Sequence, residues 1–155
     1  LIGYPLSKYK NLCISQKPNF AGVNDNKNII LFDGVCNLCN GFVQFVIKRD
    51  KNAVFKFASL QSETGQEVLR KYNLPIDELT SVIYVQNENV FLRSEAALRI
   101  ASQLDGIWKL SKILLVFPTP LRDFVYNLVA KNRYRIFGKR DECLLPTAEL
   151  KSRFL

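Results

Sequence analysis

The chain has no histidine and no methionine, and only four cysteines among 155 residues. Each shortage excludes something. Without histidine, a zinc site of mixed Cys and His ligands cannot be built, and any metal held by thiolates needs all four cysteines. Four cysteines are too few for a disulfide-scaffolded secreted domain, and their spacing is uneven, with Cys36 and Cys39 close and Cys13 and Cys143 distant. The longest apolar runs, Ile113 to Phe117 and Phe42 to Ile47, fall far short of the roughly 20 residues of a membrane-crossing helix. No secretory apolar core, internal repeat, low-complexity tract or recognisable RNA-binding motif is present. With Leu1 at the start and no methionine, the expectation is of a processed or truncated chain. Residues 1–24 hold Lys8, Lys10 and Lys17 but no acid, as the end of an organellar transit sequence or its mature flank does. That composition favours an organelle, a mitochondrion ahead of a chloroplast, with bacterial cytoplasm as the alternative.

What is present is ordinary globular material, 48% hydrophobic and 23% charged, enough for one core. The formal charge of +8 is uneven, because residues 109–155 carry ten Lys and Arg against Asp123, Asp141, Glu142 and Glu149. Such a field favours nucleic acid, an anionic membrane or an acidic protein, although a solubilising surface has the same composition.

Residues 1–27 lack a sustained period and read as an irregular extension, with folding expected over 28–146 and a tail over 147–155. Asn28 to Phe32 suits a buried parallel strand ending in the breaker pair Asp33-Gly34. A helix is expected from about Leu38 to Asp50, with Lys48 and Arg49 in its last turn. Val54 to Leu60 reads as a parallel neighbour of the first strand. Ser62 opens a second helix that Asn73-Leu74-Pro75 stops. Ser81 to Val85 and Val90 to Leu92 read as an antiparallel hairpin around Gln86-Asn87-Glu88-Asn89. Ser94 suits the cap of a helix over Glu95 to Leu104, and helical stretches are expected over Trp108 to Val116 and Pro120 to Phe137, the latter capped by Thr119 and ended by Gly138. The order β-α-β-α-β-β-α predicts an α/β thioredoxin-like fold: a mixed four-stranded sheet flanked by helices, with extra helices at the C-terminus.

The chemistry concentrates in Cys36-Asn37-Leu38-Cys39 at the junction of first strand and first helix. Thiol-disulfide exchange needs one partly ionised, exposed thiol and a second close enough to release the mixed disulfide. A cysteine at a helix N-terminus meets unpaired amides and the positive end of the dipole, while the second lies about one turn along and deeper. Cys36 is therefore the expected attacking thiolate and Cys39 the resolving thiol. Asn37 and Leu38 bring no cation, so helix amides alone are expected to stabilise Cys36, giving moderate acidity. Asp33 is the candidate proton acceptor or donor for Cys39; an Asp before Gly34 is also what a plain turn uses. A four-thiolate metal site with Cys13 and Cys143 and an inert buried pair are the alternatives.

The run Asp33-Gly34-Val35-Cys36-Asn37-Leu38-Cys39-Asn40 resembles the DxxCxxC signature of the DCC family of thiol-disulfide oxidoreductases. The resemblance runs from about Asn28 to Pro146. It continues through Leu92-Arg93-Ser94-Glu95-Ala96-Ala97, Pro120 to Tyr126, Asn132-Arg133-Tyr134-Arg135-Ile136-Phe137-Gly138 and Cys143-Leu144-Leu145-Pro146. It implies that Asp33, Cys36 and Cys39 are the signature site, with Arg93, Arg133, Tyr134 and Cys143 matching later blocks without an assigned role. Where thioredoxins place a cis-proline before the third strand, this chain has Leu79-Thr80-Ser81-Val82.

The function expected is dithiol-disulfide exchange with a protein partner carrying a disulfide or thiol, without cofactor or metal. The alternative is an accessory subunit of a large organellar assembly, an RNA-containing one included, docked by the basic C-terminal region.

Overall fold

The computed structural model describes residues 28–74, 82–139 and 151–155. The expected extension over 1–27, Cys13, Cys143 and the Leu79 to Ser81 stretch lie outside the described residues. Four strands, β1 (Asn28–Phe32), β2 (Phe55–Ser59), β3 (Ile83–Gln86) and β4 (Asn89–Leu92), form one sheet in the order β2-β1-β3-β4. Helices α1 (Asn37–Arg49), α2 (Glu63–Lys71) and α3 (Arg93–Ser102) flank it, and α4 (Thr119–Phe137) packs on α1 and α3. β1 runs parallel to β2 and antiparallel to β3, and β3 pairs antiparallel with β4. This is the mixed, open, thioredoxin-like α/β arrangement with extra C-terminal helical elements.

β1 is central because it is apolar on both faces. Ile30 and Phe32 join Phe55, Phe57 and Tyr84 in a core completed by Val43 and Val46 of α1 and Ala96 and Ile100 of α3. Ile29 and Leu31 point the other way, into a smaller core with Val68 and Leu69 of α2. A strand buried on both sides has no polar face to alternate with, which is why Ile29 to Phe32 reads as a continuous apolar run. The hairpin turns on Asn87 and Glu88, both at positive φ (47° and 66°), a two-residue loop whose twist suits the strands it joins.

Several elements depart from expectation. Helix α1 starts at Asn37, one residue early, and β2 starts at Phe55, leaving Val54 exposed. Ser94 does not cap α3: the helix starts directly after β4 at Arg93, and the Ser94 hydroxyl donates to the Asp123 carboxylate on α4. Pro118, rather than Thr119, occupies the position before α4. The stretch expected as a helix over Trp108 to Val116 is a 3-10 segment, Gly106–Val116. Its apolar residues Ile107, Leu110, Ile113 and Val116 recur every third position, the period of that tighter helix.

The last residues return to the sheet. After the turn Lys151–Arg153, Phe154 lies parallel beside Phe57, and the Leu155 amide donates to the Phe57 carbonyl at 2.9 Å. Among the described residues no helix is long and apolar enough to cross a membrane.

Candidate functional site

Four residues separate the end of β1 from the start of α1, and Asp33, the first of them, makes the turn. Its Oδ1 accepts from the Val35 amide at 3.2 Å, and its carbonyl accepts from the Cys36 amide at 3.3 Å. Cys36 then occupies the helix N-cap with extended backbone (φ −90°, ψ 119°). Its Sγ accepts from the Cys39 amide at 3.4 Å, so sulfur fills the role that a serine or aspartate oxygen usually has at a cap. The Cys39 thiol also bonds to this sulfur, and that bond is the main reason the Cys36 pKa falls from its ordinary 9.0 to about 6. Burial opposes the fall; the Cys39 amide and the positive charge of Arg133 assist it. Cys39 is driven the other way, well above the ordinary thiol range, because it donates to Cys36, is buried, and faces the Cys36 charge.

A buried polar cluster backs the dithiol. Asp33 Oδ1 also accepts from Gln61 Nε2 at 2.9 Å, and Oδ2 accepts from Arg133 Nη2 at 2.9 Å and from the Tyr134 hydroxyl. Arg133 in turn donates to the Tyr134 hydroxyl at 2.8 Å. Asp33 and Arg133 are both buried, so each depends on the other for charge compensation. Tyr134 ionises far less readily than a free phenol, through burial and the adjacent Asp33 charge. Gln61 Oε1 accepts from the Gly34 amide at 3.0 Å and Asn40 Nδ2 donates to the Gly34 carbonyl at 2.9 Å, fixing the turn from both sides. Tyr126, on the same helix as Arg133, accepts from the Val82 amide at 3.0 Å. Burial raises its pKa, and the charges of both cysteines act on it.

The structure thus brings Asp33, Cys36 and Cys39 together, and it corrects two expectations about them. Cys36 is not the more exposed thiol: it is 0% exposed, against 6% for Cys39. The reason is the end of α4. Lys139 pairs with Cys36 in an antiparallel bridge, and Asn37 Nδ2 donates to the Phe137 carbonyl at 2.8 Å. Gly138 between them has φ +76°, a left-handed conformation that favours glycine. Nor do helix amides act alone, since Arg133 reaches the dithiol from 97 positions down the chain. An apolar cleft of about 170 Å³ opens beside Cys39, between Leu38 and Phe42 of α1 and Tyr126, Val129 and Ala130 of α4.

Gln61 gave no sequence signal as a site residue, and Tyr126 stood only at the end of a matching block. Arg133 and Tyr134 stood only in a matching block. Their common feature, a basic-aromatic pair inside an otherwise exposed helix, becomes readable once Arg133 is known to be buried. Among the described residues no three potential metal ligands cluster.

A model described as DCC1-like thiol-disulfide oxidoreductase matches residues 30–139. The chain belongs to the DCC family. YuxK of Bacillus subtilis (strain 168) is 50% identical over 127 residues, 82% of this chain and 93% of that protein. A DCC family protein of Arabidopsis thaliana, named as chloroplastic, is 43% identical over 122 residues, 78% of this chain and 71% of that protein. No solved structure matches. These relatives overturn the expectation of a mitochondrion: one is bacterial and the other chloroplastic. A lysine-bearing, acid-poor N-terminal stretch has the composition of any solvated basic arm, so it carries no address by itself. Family membership and the close cysteine pair support a thiol- or disulfide-related role.

Proposed function

We propose that this protein exchanges disulfides with a protein partner through Cys36 and Cys39. The observation that carries the reading is the Cys36 sulfur at the N-cap of α1, accepting hydrogen bonds from the amide and the thiol of Cys39. Such a sulfur is largely thiolate at neutral pH while its neighbour keeps its proton. In the reductive direction, the Cys36 thiolate attacks one sulfur of the partner disulfide, forming a mixed disulfide and releasing the other sulfur as a thiolate. Cys39 then attacks Cys36 Sγ, its proton passing to the released thiolate. The second partner sulfur leaves and takes a proton from solvent, so two electrons have moved from the dithiol to the partner. The Cys36–Cys39 disulfide remains.

Asp33 serves in this reading as the anchor for Arg133 and Tyr134, and its negative charge favours the protonated form of Cys39. With four donors on its two oxygens, accepting the Cys39 proton requires one of them to leave. Access to Cys36 requires the Phe137–Lys139 cover to move off the Asn37 side chain, and stabilisation of its thiolate favours the reduced form, which makes the disulfide a good oxidant.

Equilibration in glutathione buffers, followed by alkylation and mass measurement with parallel metal quantification, tests the reading. The expected result is a reversible Cys36–Cys39 disulfide with a defined potential, abolished by Cys36→Ser, and a mixed disulfide that persists in Cys39→Ser. Thiols inert to oxidant, or stoichiometric metal lost in both variants, would replace it. The docked-subunit reading draws on the exposed cations of α4; salt-sensitive sedimentation with an RNA-containing particle is its test.

A further inference from the structure

Among the described residues, every exposed large apolar side chain except Val54 falls between Ile107 and Phe137. They are ordered. In the 3-10 segment, Ile107, Leu110, Ile113 and Val116 repeat at every third position and are 75%, 63%, 61% and 84% exposed. In α4, Leu121, Phe124, Val125 and Leu128 stand at the i, i+3, i+4, i+7 spacing that marks one helix face, and more than half of each is exposed. That spacing normally marks the buried side of a helix. Here the side of α4 turned inward is the polar one, with Arg133 at the dithiol and Asp123 on Ser94. Both elements pack against α3, and Phe117-Pro118 joins the end of the first to the start of the second.

The charge around the stripes narrows what they meet. Residues 106–139 hold seven Lys and Arg and a single acid, Asp123. Arg133 is buried on Asp33; Lys112, Lys131 and Arg135 stand exposed, as do Lys109, which reaches Asp105 at 3.9 Å, and Lys139, which lies over the Tyr134 ring. A second copy of the same surface would set like charge against like charge, which disfavours a two-fold interface. RNA would take the cations but has no use for the leucine, isoleucine and valine side chains that dominate the stripes, since single strands are held by stacking on aromatic rings. Protruding aliphatics on elements that also expose lysine and arginine match the acyl boundary and headgroups of an anionic bilayer.

We propose that the Gly106–Val116 segment and α4 form a membrane-surface docking site for anionic phospholipid, with the apolar stripes inserted at the acyl boundary. The inference goes beyond the exchange reading and stands without it. It places the chain on a bilayer surface without crossing it, and holds the helix that carries Arg133, Tyr134 and the Cys36 cover against the lipid.

Flotation of the full chain with equimolar phosphatidylglycerol–phosphatidylcholine vesicles, compared with phosphatidylcholine alone, tests it. Trp108, the single tryptophan of the chain, follows Ile107 and is 37% exposed although edge-on to Phe45 of α1, so its ring stands at the margin of the proposed insertion and reports depth. The expected result is flotation with the anionic vesicles only, a blue shift of Trp108 emission, and quenching by brominated acyl chains. The pairs Phe124→Ser/Leu128→Ser and Lys131→Glu/Arg135→Glu each lower the partition coefficient roughly tenfold or more, since both apolar burial and basic charge contribute at such a surface. Absence of flotation overturns the proposal, as does flotation that leaves Trp108 unquenched or ignores Phe124→Ser/Leu128→Ser. Tighter binding to single-stranded RNA than to the vesicles, or a dimer that Phe124→Ser/Leu128→Ser returns to monomer, also overturns it.

Discussion

Cys36 caps a helix and carries the reactive sulfur, and its charge links redox chemistry to folding. Its thiol ionises near 6 in the folded chain against an ordinary 9.0. The reduced native state therefore gains nothing from this group below about pH 6, and gains stability as pH rises towards 9. Cys39 is raised, so above about 9 it keeps its proton only in the folded chain and takes stability back. Urea unfolding of the reduced protein should show stability climbing between pH 6 and 9, a slope that Cys36→Ser removes. Arg133→Gln should move the pH midpoint of Cys36 alkylation above about 6 but leave it well short of 9.0, because both Cys39 hydrogen bonds remain. An unchanged midpoint would show that the Arg133 charge does not reach the sulfur. The cap itself was legible, since CxxC after a breaker pair can hardly start a helix otherwise. Arg133 was not, because no local pattern says which of ten C-terminal cations turns inward.

At the scale of elements, the site depends on how β2 hands over to α2. Gln61, which bonds both Asp33 and the Gly34 amide, sits in that junction, and Ser62 caps α2 by accepting from the Gly65 amide. Gly65 lies so close to the end of β2 that an added Cβ would stand 2.0 Å from the Ser59 carbonyl oxygen. Backbone cannot swing aside as a side chain can. Gly65→Ala should cost about 1–3 kcal/mol in urea unfolding and slow Cys36 alkylation by loosening Gln61. An unperturbed variant would mean that the junction relaxes freely. Strand and helix periodicity revealed β1, α1 and α2 within a residue or two, because each buries a face that the sequence must keep apolar. The same rule misled at Gly106–Val116, where apolar periodicity marks an exposed ridge. Ser94 misled differently: its hydroxyl found Asp123, a partner 29 positions away, instead of the helix amides that propensity assigns it.

Over the whole molecule, the chain end returns to brace the strand that carries the sheet edge. Asp50 closes α1 and accepts from the Val54 and Phe55 amides at 3.1 and 3.0 Å, setting the entry to β2. Arg153 donates to the same carboxylate, and both partners are buried. Phe154 then lies edge-on to Phe32 and tilted against Phe57, with ring centroids 6.3 and 5.6 Å away, extending the core that also holds Cys36. Composition describes residues 147–155 only as a tail; the pairing with Asp50, 103 positions earlier, gives Arg153 its place. Removing one member of a buried pair leaves the other charge without compensation, which costs about 3–5 kcal/mol. Arg153→Ala should lower the unfolding free energy by that amount, whereas Lys56→Ala, whose exposed amine reaches the Ser152 carbonyl at 2.6 Å, should cost well under about 1 kcal/mol. Denaturant unfolding of the two variants at one pH checks both. Equal effects would show that the chain end is held by surface contacts, with the Asp50 carboxylate already satisfied by the two β2 amides.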